Sequence, residues 1–133
     1  MTTEAILGEF RLKDEIERLQ PGEGRSGRRA ETLIKTDRLR VVLVTMRAGA
    51  ELQEHSAPGP ITIHALSGAF DVTVGEESRP LAAGELISIQ TNHRHAVRAT
   101  EDGAFLLTIS WLPDDTSEAA AANGDEAADV HGS

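Results

Sequence analysis

The chain has 133 residues, of which 39% are hydrophobic and 3% aromatic, and it carries a formal net charge of −9. This length allows one domain with a real core and is too short for two. The absence of cysteine excludes disulfides, zinc–thiolate sites and thiol catalysis. No apolar run approaches the roughly 20 residues that span a bilayer. Met1 to Phe10 lacks the basic start and apolar run of a signal peptide, so we expect a cytoplasmic protein with no membrane partner.

The negative charge is concentrated at the C-terminus. Residues 113–133 hold six acids and no lysine or arginine, so residues 1–112 carry 13 basic and 16 acidic groups, a net charge of −3. Nucleic-acid binding needs a concentrated positive face, and Arg25, Arg28 and Arg29 stand without interleaved aromatics. We therefore expect no nucleic-acid partner. The acidic tail over 113–133 has no apolar face to bury and is predicted to be disordered.

The N-terminal segment predicts a helix. Between Glu4 and Gln20, apolar residues recur among charges at roughly helical spacing, and Pro21 and Gly22 then end the pattern. We interpret the segment as an amphipathic helix that packs on the domain or on a partner subunit. Residues 1–30 are thus predicted to form a helical arm and loop.

Short apolar runs separated by turn residues follow, and they predict an all-β domain over residues 31–112. Phe70, Val72 and Val74 alternate with polar residues in the clearest half-buried strand. Turns are predicted at Gly75–Arg79 and at Ala82–Gly84. The other predicted strands are Glu31–Lys35, Leu39–Met46, Ile61–Leu66, Leu86–Ile89, His95–Thr100 and Ala104–Trp111.

Two segments carry the residues suited to chemistry, Gly49–Gly68 and Gly84–Ala99. Five residues separate the first glycine from His55, and His95 lies just beyond the turn after the Gly84 strand. This spacing resembles the two motifs of the cupin superfamily, and the resemblance covers the whole predicted β-domain. It implies a cupin-like antiparallel β-barrel or jelly roll with a short N-terminal helix. It also implies a homodimer, because cupins commonly pair through strand exchange or sheet packing.

The match to the cupin motifs is partial. The second histidine of the first motif falls on Ala57 and its glutamate falls on Ile61, and neither side chain can coordinate a metal. Two of the four ligands that the family usually supplies are therefore replaced. The motif positions that do match are Gly49, His55, Gly68, Gly84 and His95.

The histidines leave two alternatives open, a bound divalent transition metal or a metal-free pocket. Imidazole is a good ligand for Fe, Mn, Ni, Cu or Zn, but a catalytic site generally wants three or more protein ligands. His55 and His95 supply two if the barrel brings them together. His93 is the best third candidate, since its i, i+2 relation to His95 could direct both rings to one side of a strand. That geometry requires His93 to lie outside the turn.

The predicted pocket is more apolar than that of a usual metal cupin, because Ala57, Ile61 and Ile63 occupy ligand-type positions. Gln53 shares strand parity with the first histidine and could add an oxygen. These residues either form an apolar cavity for a small organic ligand or simply fill the interior of a small barrel.

Two functions remain open from the sequence. One is a cupin that binds a small organic ligand beside a degenerate two-histidine site, with little or no catalysis. The other is a metal-dependent cupin enzyme of the dioxygenase or isomerase type, using His55, His95 and a third ligand such as His93. The missing ligands favour the first. His64 is expected on the opposite strand face from Ile63, towards a partner subunit or the helical arm.

Overall fold

The structure is a computed structural model that describes residues 5–22, 24–55, 57–90 and 92–110, with the backbone alone at positions 54 and 55. The predicted tail over 113–133 lies outside the described residues. Helix α1 (Leu12–Arg18) has seven residues. No helix of the described part is both long and apolar enough to cross a membrane.

Nine strands in the described part form two antiparallel sheets. In chain order they are β1 (Arg28–Lys35), β2 (Leu39–Met46), β3 (Glu51–His55), β4 (Ile61–Ser67), β5 (Ala69–Val74), β6 (Glu77–Ala82), β7 (Leu86–Ile89), β8 (His95–Ala99) and β9 (Gly103–Ser110). Sheet A has the order β1-β2-β9-β4-β7, and sheet B has the order β3-β8-β5-β6. The predicted antiparallel β-domain with a short N-terminal helix is confirmed.

The core lies between the two sheets because the strands alternate in burial, so that every second side chain points inward. Phe105 of β9 and Phe70 of β5 are both fully buried, and their rings meet edge to face at 5.2 Å between centroids. The rest of this core is aliphatic, which compensates for the scarcity of aromatic residues. The ring contact also fixes which parts of the two sheets face each other.

One layer of inward positions, which we name the site layer, lies four residues beyond this ring contact in each sheet. The chain passes from sheet A to sheet B at Gly68, between β4 and β5. Counting residues away from Gly68 along either strand therefore leads towards the same end of the domain. The site layer is defined by cross-strand partners: Arg40, Ile109, Ile61 and Ile89 in sheet A, and His95, Val74 and Glu77 in sheet B. The backbone of His55 pairs with that of His95 at the same level.

The helix is shorter than predicted. It spans only Leu12–Arg18, whereas residues 6–11 are irregular and exposed. Gly8 lies within this irregular part, and a glycine costs about 1 kcal/mol relative to alanine inside a helix. Ile6 and Leu7 are 56% and 66% exposed, so no burial offsets that cost. A short helix needs tertiary packing to form. Only the second half of the predicted segment, at Ile16 and Leu19, packs against sheet A.

The helix packs on the outer face of sheet A rather than within the core. Leu19, at its C-terminal end, is buried, and its carbonyl accepts a hydrogen bond of 2.5 Å from the Thr45 hydroxyl. The apolar cluster under the helix consists of Leu19, Leu43 and Ala104, with Ile16, Leu33, Leu66 and Leu106 packed around them. Packing on the domain is one of the two placements predicted for this arm.

The sequence did not predict the two edge strands of sheet B, β3 and β6. The turn predicted over Gly75–Arg79 is wrong from Glu77 onward, where β6 begins. Most of β6 is exposed and only Leu81 is buried, so it lacks the alternation of a half-buried strand. Pro80 is tolerated there because an edge strand can spare an N–H donor.

Candidate functional site

A β-bulge brings His55 and His95 into register. Leu52 of β3 pairs with Val97 of β8, but the register then shifts, so that His55 rather than Glu54 pairs with His95. A bulge places two residues of one strand opposite one residue of its partner. The backbone therefore aligns the two histidines that the cupin-like motifs predicted as a pair.

His95 is an inward-facing, buried histidine. It is 6% exposed and lies on the same face of β8 as Val97 and Ala99, both of which belong to the core. Its Nδ1 lies 3.4 Å from the backbone carbonyl oxygen of His93. Burial among apolar neighbours means that its ring is held in place, as a ligand-contacting or structural residue would be.

His93 does not share the strand with His95. It lies in the connection between β7 and β8, and its side chain is exposed while that of His95 is buried. The parity argument for a third ligand required both residues in one strand, and that condition is not met. His93 instead lines a cleft together with residues of β6 and β7.

The described side chains do not fit a resident transition metal. Ala57 and Ile61, at the two replaced ligand positions, are 7% and 2% exposed and belong to the apolar core. Among the side chains that the structure describes, no three His, Asp or Glu could hold a metal ion together. Among the described side chains, the site layer supplies one imidazole, that of His95, fewer ligands than a metal site generally needs. The same layer also holds the Arg40 cation. We therefore derive no step through a metal.

A cleft of about 260 Å³ opens between the edge of sheet A at β7 and the edge of sheet B at β6, and we name it the β6–β7 cleft. Ile87 and Ile89 of β7 point inward and form one wall, since their cross-strand partners Ile63 and Ile61 are core residues. The full lining is Val74, Glu77, Arg79, Ile87, Ser88, Ile89, Gln90 and His93. The cleft thus lies at the edge of the site layer.

Glu77 and Arg79 form an ion pair at the mouth of the cleft. An Arg79 Nη2 nitrogen lies 2.8 Å from Glu77 Oε1, and the two side chains are 58% and 71% exposed. Exposed pairs of this kind contribute about 0–1 kcal/mol, so the pair can open for a ligand at small cost. Neither residue was predicted from the sequence, because both fall within the turn predicted over Gly75–Arg79. Their i, i+2, i+4 spacing with Leu81 was the available signal.

The predicted pocket residues are not among the residues that line this cleft. Ile61 and Ile63 are buried one strand away from it, and Ala57 is buried as well. Gln53 is exposed and lines a separate polar cleft beside Arg28. Contact of these four residues with a ligand stays a prediction.

His64 faces outward, as expected. Its neighbours Ile63 and Ala65 are fully buried, whereas His64 is only partly buried on the outer face of sheet A. Its cross-strand partners there are Leu86 and Leu106. The helix packs on part of this face, and its coverage by a second copy of the chain stays a prediction.

Residues 42–111 match the family model described as the cupin domain. The chain belongs to the cupin superfamily. Its fold class, a cupin jelly roll, is confirmed by solved cupin structures that resemble it, among them a cupin superfamily protein from Desulfitobacterium hafniense at 18% identity and a TM-score of 0.63, covering 68% of this chain and 84% of that chain.

Other solved structures are similar to this cupin. A conserved protein of unknown function from Streptococcus pyogenes is 26% identical, with a TM-score of 0.63, covering 67% of this chain and 78% of that chain. KdgF from Halomonas sp. is 26% identical, with a TM-score of 0.59 and coverages of 68% and 84%. A salicylate 1,2-dioxygenase from Pseudaminobacter salicylatoxidans has a TM-score of 0.66 at 16% identity, with coverages of 76% and 34%, which shows a shared fold alone. No curated protein matches the chain.

Proposed function

We propose that this cupin binds a small, largely apolar organic molecule in the β6–β7 cleft, with little or no catalysis. The observation that carries the proposal is the make-up of the cleft. Val74, Ile87 and Ile89 supply apolar walls, while Gln90 and His93 supply polar groups near the rim. Small-molecule sites typically combine apolar walls with a few polar groups that orient the ligand.

The size of the cleft indicates the size of the ligand. An apolar cavity of roughly 150 Å³ in another, engineered protein is large enough to bind benzene. The β6–β7 cleft has about 260 Å³, so it suits a molecule of one or two rings or a short chain rather than a cofactor-sized one. Binding would remove apolar surface from water on both the ligand and the cleft walls, at about 25 cal/mol per Å².

The replaced ligand positions support a low catalytic capacity. Cupins include enzymes, as the name of the salicylate dioxygenase shows, but that protein shares only the fold with this chain. In this chain Ala57 and Ile61 offer no lone pair to a metal or to a proton in transfer. The cleft carboxylate, Glu77, lies in an exposed ion pair with Arg79. The site is therefore better suited to holding a molecule than to transforming it.

Indole is a suitable probe for the cleft, and we expect it to bind there. Replacing Ile87 by asparagine is expected to weaken indole binding by about tenfold or more, because it places an unsatisfied amide in an apolar wall. Replacing Leu86 by asparagine is the matched control, since Leu86 is 60% exposed on the outer face of the same strand. Titrations followed by two-dimensional amide NMR measure both affinities.

The proposal fails if indole does not shift the amides of β6 and β7, or if the two variants bind it equally well. Amide spectra of the free variants report whether each one is folded. Replacing Ile87 by valine keeps the wall apolar and changes its shape by one methylene, so it provides a second, milder test. That variant is expected to fold like the wild type and to bind indole more weakly by a few-fold.

Metal content separates this proposal from the metal-dependent alternative. The untagged protein, purified without chelator, is expected to contain well under one Fe, Mn, Ni, Cu or Zn per chain by elemental mass spectrometry. The reason is that two imidazoles are too few ligands for a stable site. Incubation with these ions followed by desalting is expected to give the same result. Near one metal per chain, lost in His95→Ala but kept in His64→Ala, would instead support an enzyme.

A further inference from the structure

A second cleft lies on the opposite side of the domain from the β6–β7 cleft. Strands β1 and β3 are the edge strands of sheets A and B on this side, as β7 and β6 are on the other. Arg28, at the start of β1, donates a hydrogen bond through Nη1 to the Glu51 carbonyl oxygen of β3, so the two edges meet. The opening beside this bond, which we name the β1–β3 cleft, has a volume of about 340 Å³. It is lined by residues 25–28 and 47–51 and by Gln53.

Positive charge is concentrated at the β1–β3 cleft. Glu51 is the one acid among its described lining residues, and its exposed carboxylate lies 3.9 Å from Nε of Arg98. Just outside the lining, Asp102 Oδ1 accepts a hydrogen bond from the Ala48 N–H. The arginines of the lining are Arg25, Arg28 and Arg47. Among the described residues, the cleft and its edge therefore hold four guanidinium groups and two carboxylates, in a chain whose net charge is −9.

Arg47 ties down the loop that forms one wall of this cleft. Its two Nη nitrogens donate hydrogen bonds to the carbonyl oxygens of Gly22 and Gly24. Its backbone N–H donates to the carbonyl oxygen of Gly27. A charge that is fixed before a ligand arrives does not have to be ordered on binding. Arg47 thus contributes a positive charge that is already in place, while its own donors stay on the loop.

Arg25 and Arg28 are the arginines suited to direct contact with a ligand. Arg25 is exposed at the mouth of the cleft, whereas Arg28 is half-buried. A guanidinium has five N–H donors, so the single bond from Arg28 to Glu51 leaves others for a ligand. The two side chains can therefore approach one anion from the loop and from the edge of β1.

The composition of the lining indicates which anion fits. Apart from the charged residues, the lining consists of glycine, alanine, Ser26 and Gln53, so it has no apolar wall like that of the β6–β7 cleft. A carboxylate has one charge and two oxygens, which one guanidinium can satisfy. A phosphate group carries about −1.5 to −2 charges at neutral pH and offers more acceptor oxygens. Several arginines around one polar cleft therefore favour phosphate.

We propose that the β1–β3 cleft binds a phosphate group, either as the free ion or on a small hydrophilic ester. Arg25 and Arg28 donate to its oxygens, and Arg47 adds its fixed charge. The proposal goes beyond ligand binding in the β6–β7 cleft, because the two clefts share no lining residue. The β1–β3 cleft has the volume of roughly ten water molecules, so a phosphate group leaves room for the rest of an ester.

Titration with inorganic phosphate, followed by two-dimensional amide NMR at neutral pH and constant ionic strength, tests the proposal. Phosphate is expected to shift the amides of Ser26, Gly27 and Gly49 saturably, and acetate is expected to bind at least about tenfold more weakly. Glycerol 3-phosphate distinguishes the two sources of the group. Tighter binding than that of inorganic phosphate identifies an ester as the ligand, and weaker binding identifies the free ion. Both outcomes support a phosphate site.

Arg25→Met is expected to weaken phosphate binding by about tenfold, because it removes charge-assisted hydrogen bonds. Arg38→Met is the matched control, since it removes the same charge from the exposed turn at the other end of the β1–β2 hairpin. At 3.3 Å per strand residue that turn is roughly 20 Å away, beyond the Debye length of about 10 Å at 0.1 M salt. This control is expected to bind phosphate within about twofold of wild type.

Arg28→Lys retains the charge without the planar fork, and it is expected to bind phosphate several-fold more weakly than wild type. The proposal is overturned if phosphate does not shift these amides, if acetate binds as tightly, or if either cleft variant binds phosphate like wild type. Equal losses in Arg25→Met and Arg38→Met would also overturn it, because they would indicate attraction by net charge alone. If Arg28→Lys does not fold, the exposed Arg25 variant decides. The indole titration reports on the other cleft, so the two proposals can fail separately.

Discussion

Replacing Phe105 by alanine is expected to lower the free energy of unfolding by about 4 kcal/mol. Phe105 is fully buried on β9, the strand between β2 and β4 in sheet A. Its ring meets Phe70 across the core at 5.2 Å with an interplanar angle of 85°. The substitution removes both the buried area of the ring and this edge-to-face contact, and the flanking strands cannot close the resulting cavity.

Urea unfolding followed by circular dichroism measures this loss. Phe10→Ala is the matched control, since Phe10 is 38% exposed in the irregular arm and its removal is expected to change stability by about 0.5 kcal/mol or less. Phe105→Leu keeps most of the volume and is expected to lie between them. A loss below about 2 kcal/mol for Phe105→Ala would contradict the central role given to this ring.

Replacing Gly68 by alanine is expected to cost about 3 kcal/mol or more. Gly68 has a φ of +74° at the crossing from β4 to β5, a conformation that L-residues rarely adopt. A Cβ there would lie 2.3 Å from the Asp102 carbonyl oxygen and 2.7 Å from the Gly103 Cα. Both contacts are with backbone, so the β8–β9 connection would have to move. The substitution therefore combines backbone strain with a steric clash.

Gly49 provides the control for the backbone component alone. Its φ is +90°, but a Cβ there would meet nothing within 4 Å. Gly49→Ala is thus expected to cost about 1 kcal/mol, within the range for a non-glycine residue in this region. Equal losses in the two variants, measured by urea unfolding, would show that the close approach at Gly68 adds nothing.

The elements that could be predicted are those whose pattern is local. The alternation of Phe70, Val72 and Val74 predicts β5. The apolar runs that begin at Ile61 and Ala104 predict β4 and β9, because central strands bury their apolar side chains. The outward placement of His64 followed from the same two-residue period. The all-β class followed from short apolar runs separated by turn residues. The cupin-like jelly roll followed from the resemblance of the glycine and histidine spacing to the cupin motifs.

The features that could not be predicted depend on contacts distant in sequence. The bulge in β3 exists only relative to β8, about 40 residues later, so simple parity grouped Gln53 with His55 although the register shifts between Leu52 and His55. The β6 strand has one buried apolar residue, Leu81, so its sequence lacks the alternation that predicts a strand. The inward position of Arg40 could have been predicted, since Arg40 precedes Val42 by two residues in β2. A charged residue near the start of a hydrophobic run is, however, easily interpreted as the solvent-exposed end of the strand.

The position of β9 has a consequence for how the chain folds. It is the last described strand in sequence, yet it alone joins β2 to β4 within sheet A. The pairs β1–β2 and β4–β7 therefore share no hydrogen bonds until Gly103–Ser110 has been inserted between them. Folding that waits for such distant pairings is slow and strongly cooperative. During synthesis the edges of β2 and β4 stay open, and in that interval the chain is most prone to aggregate.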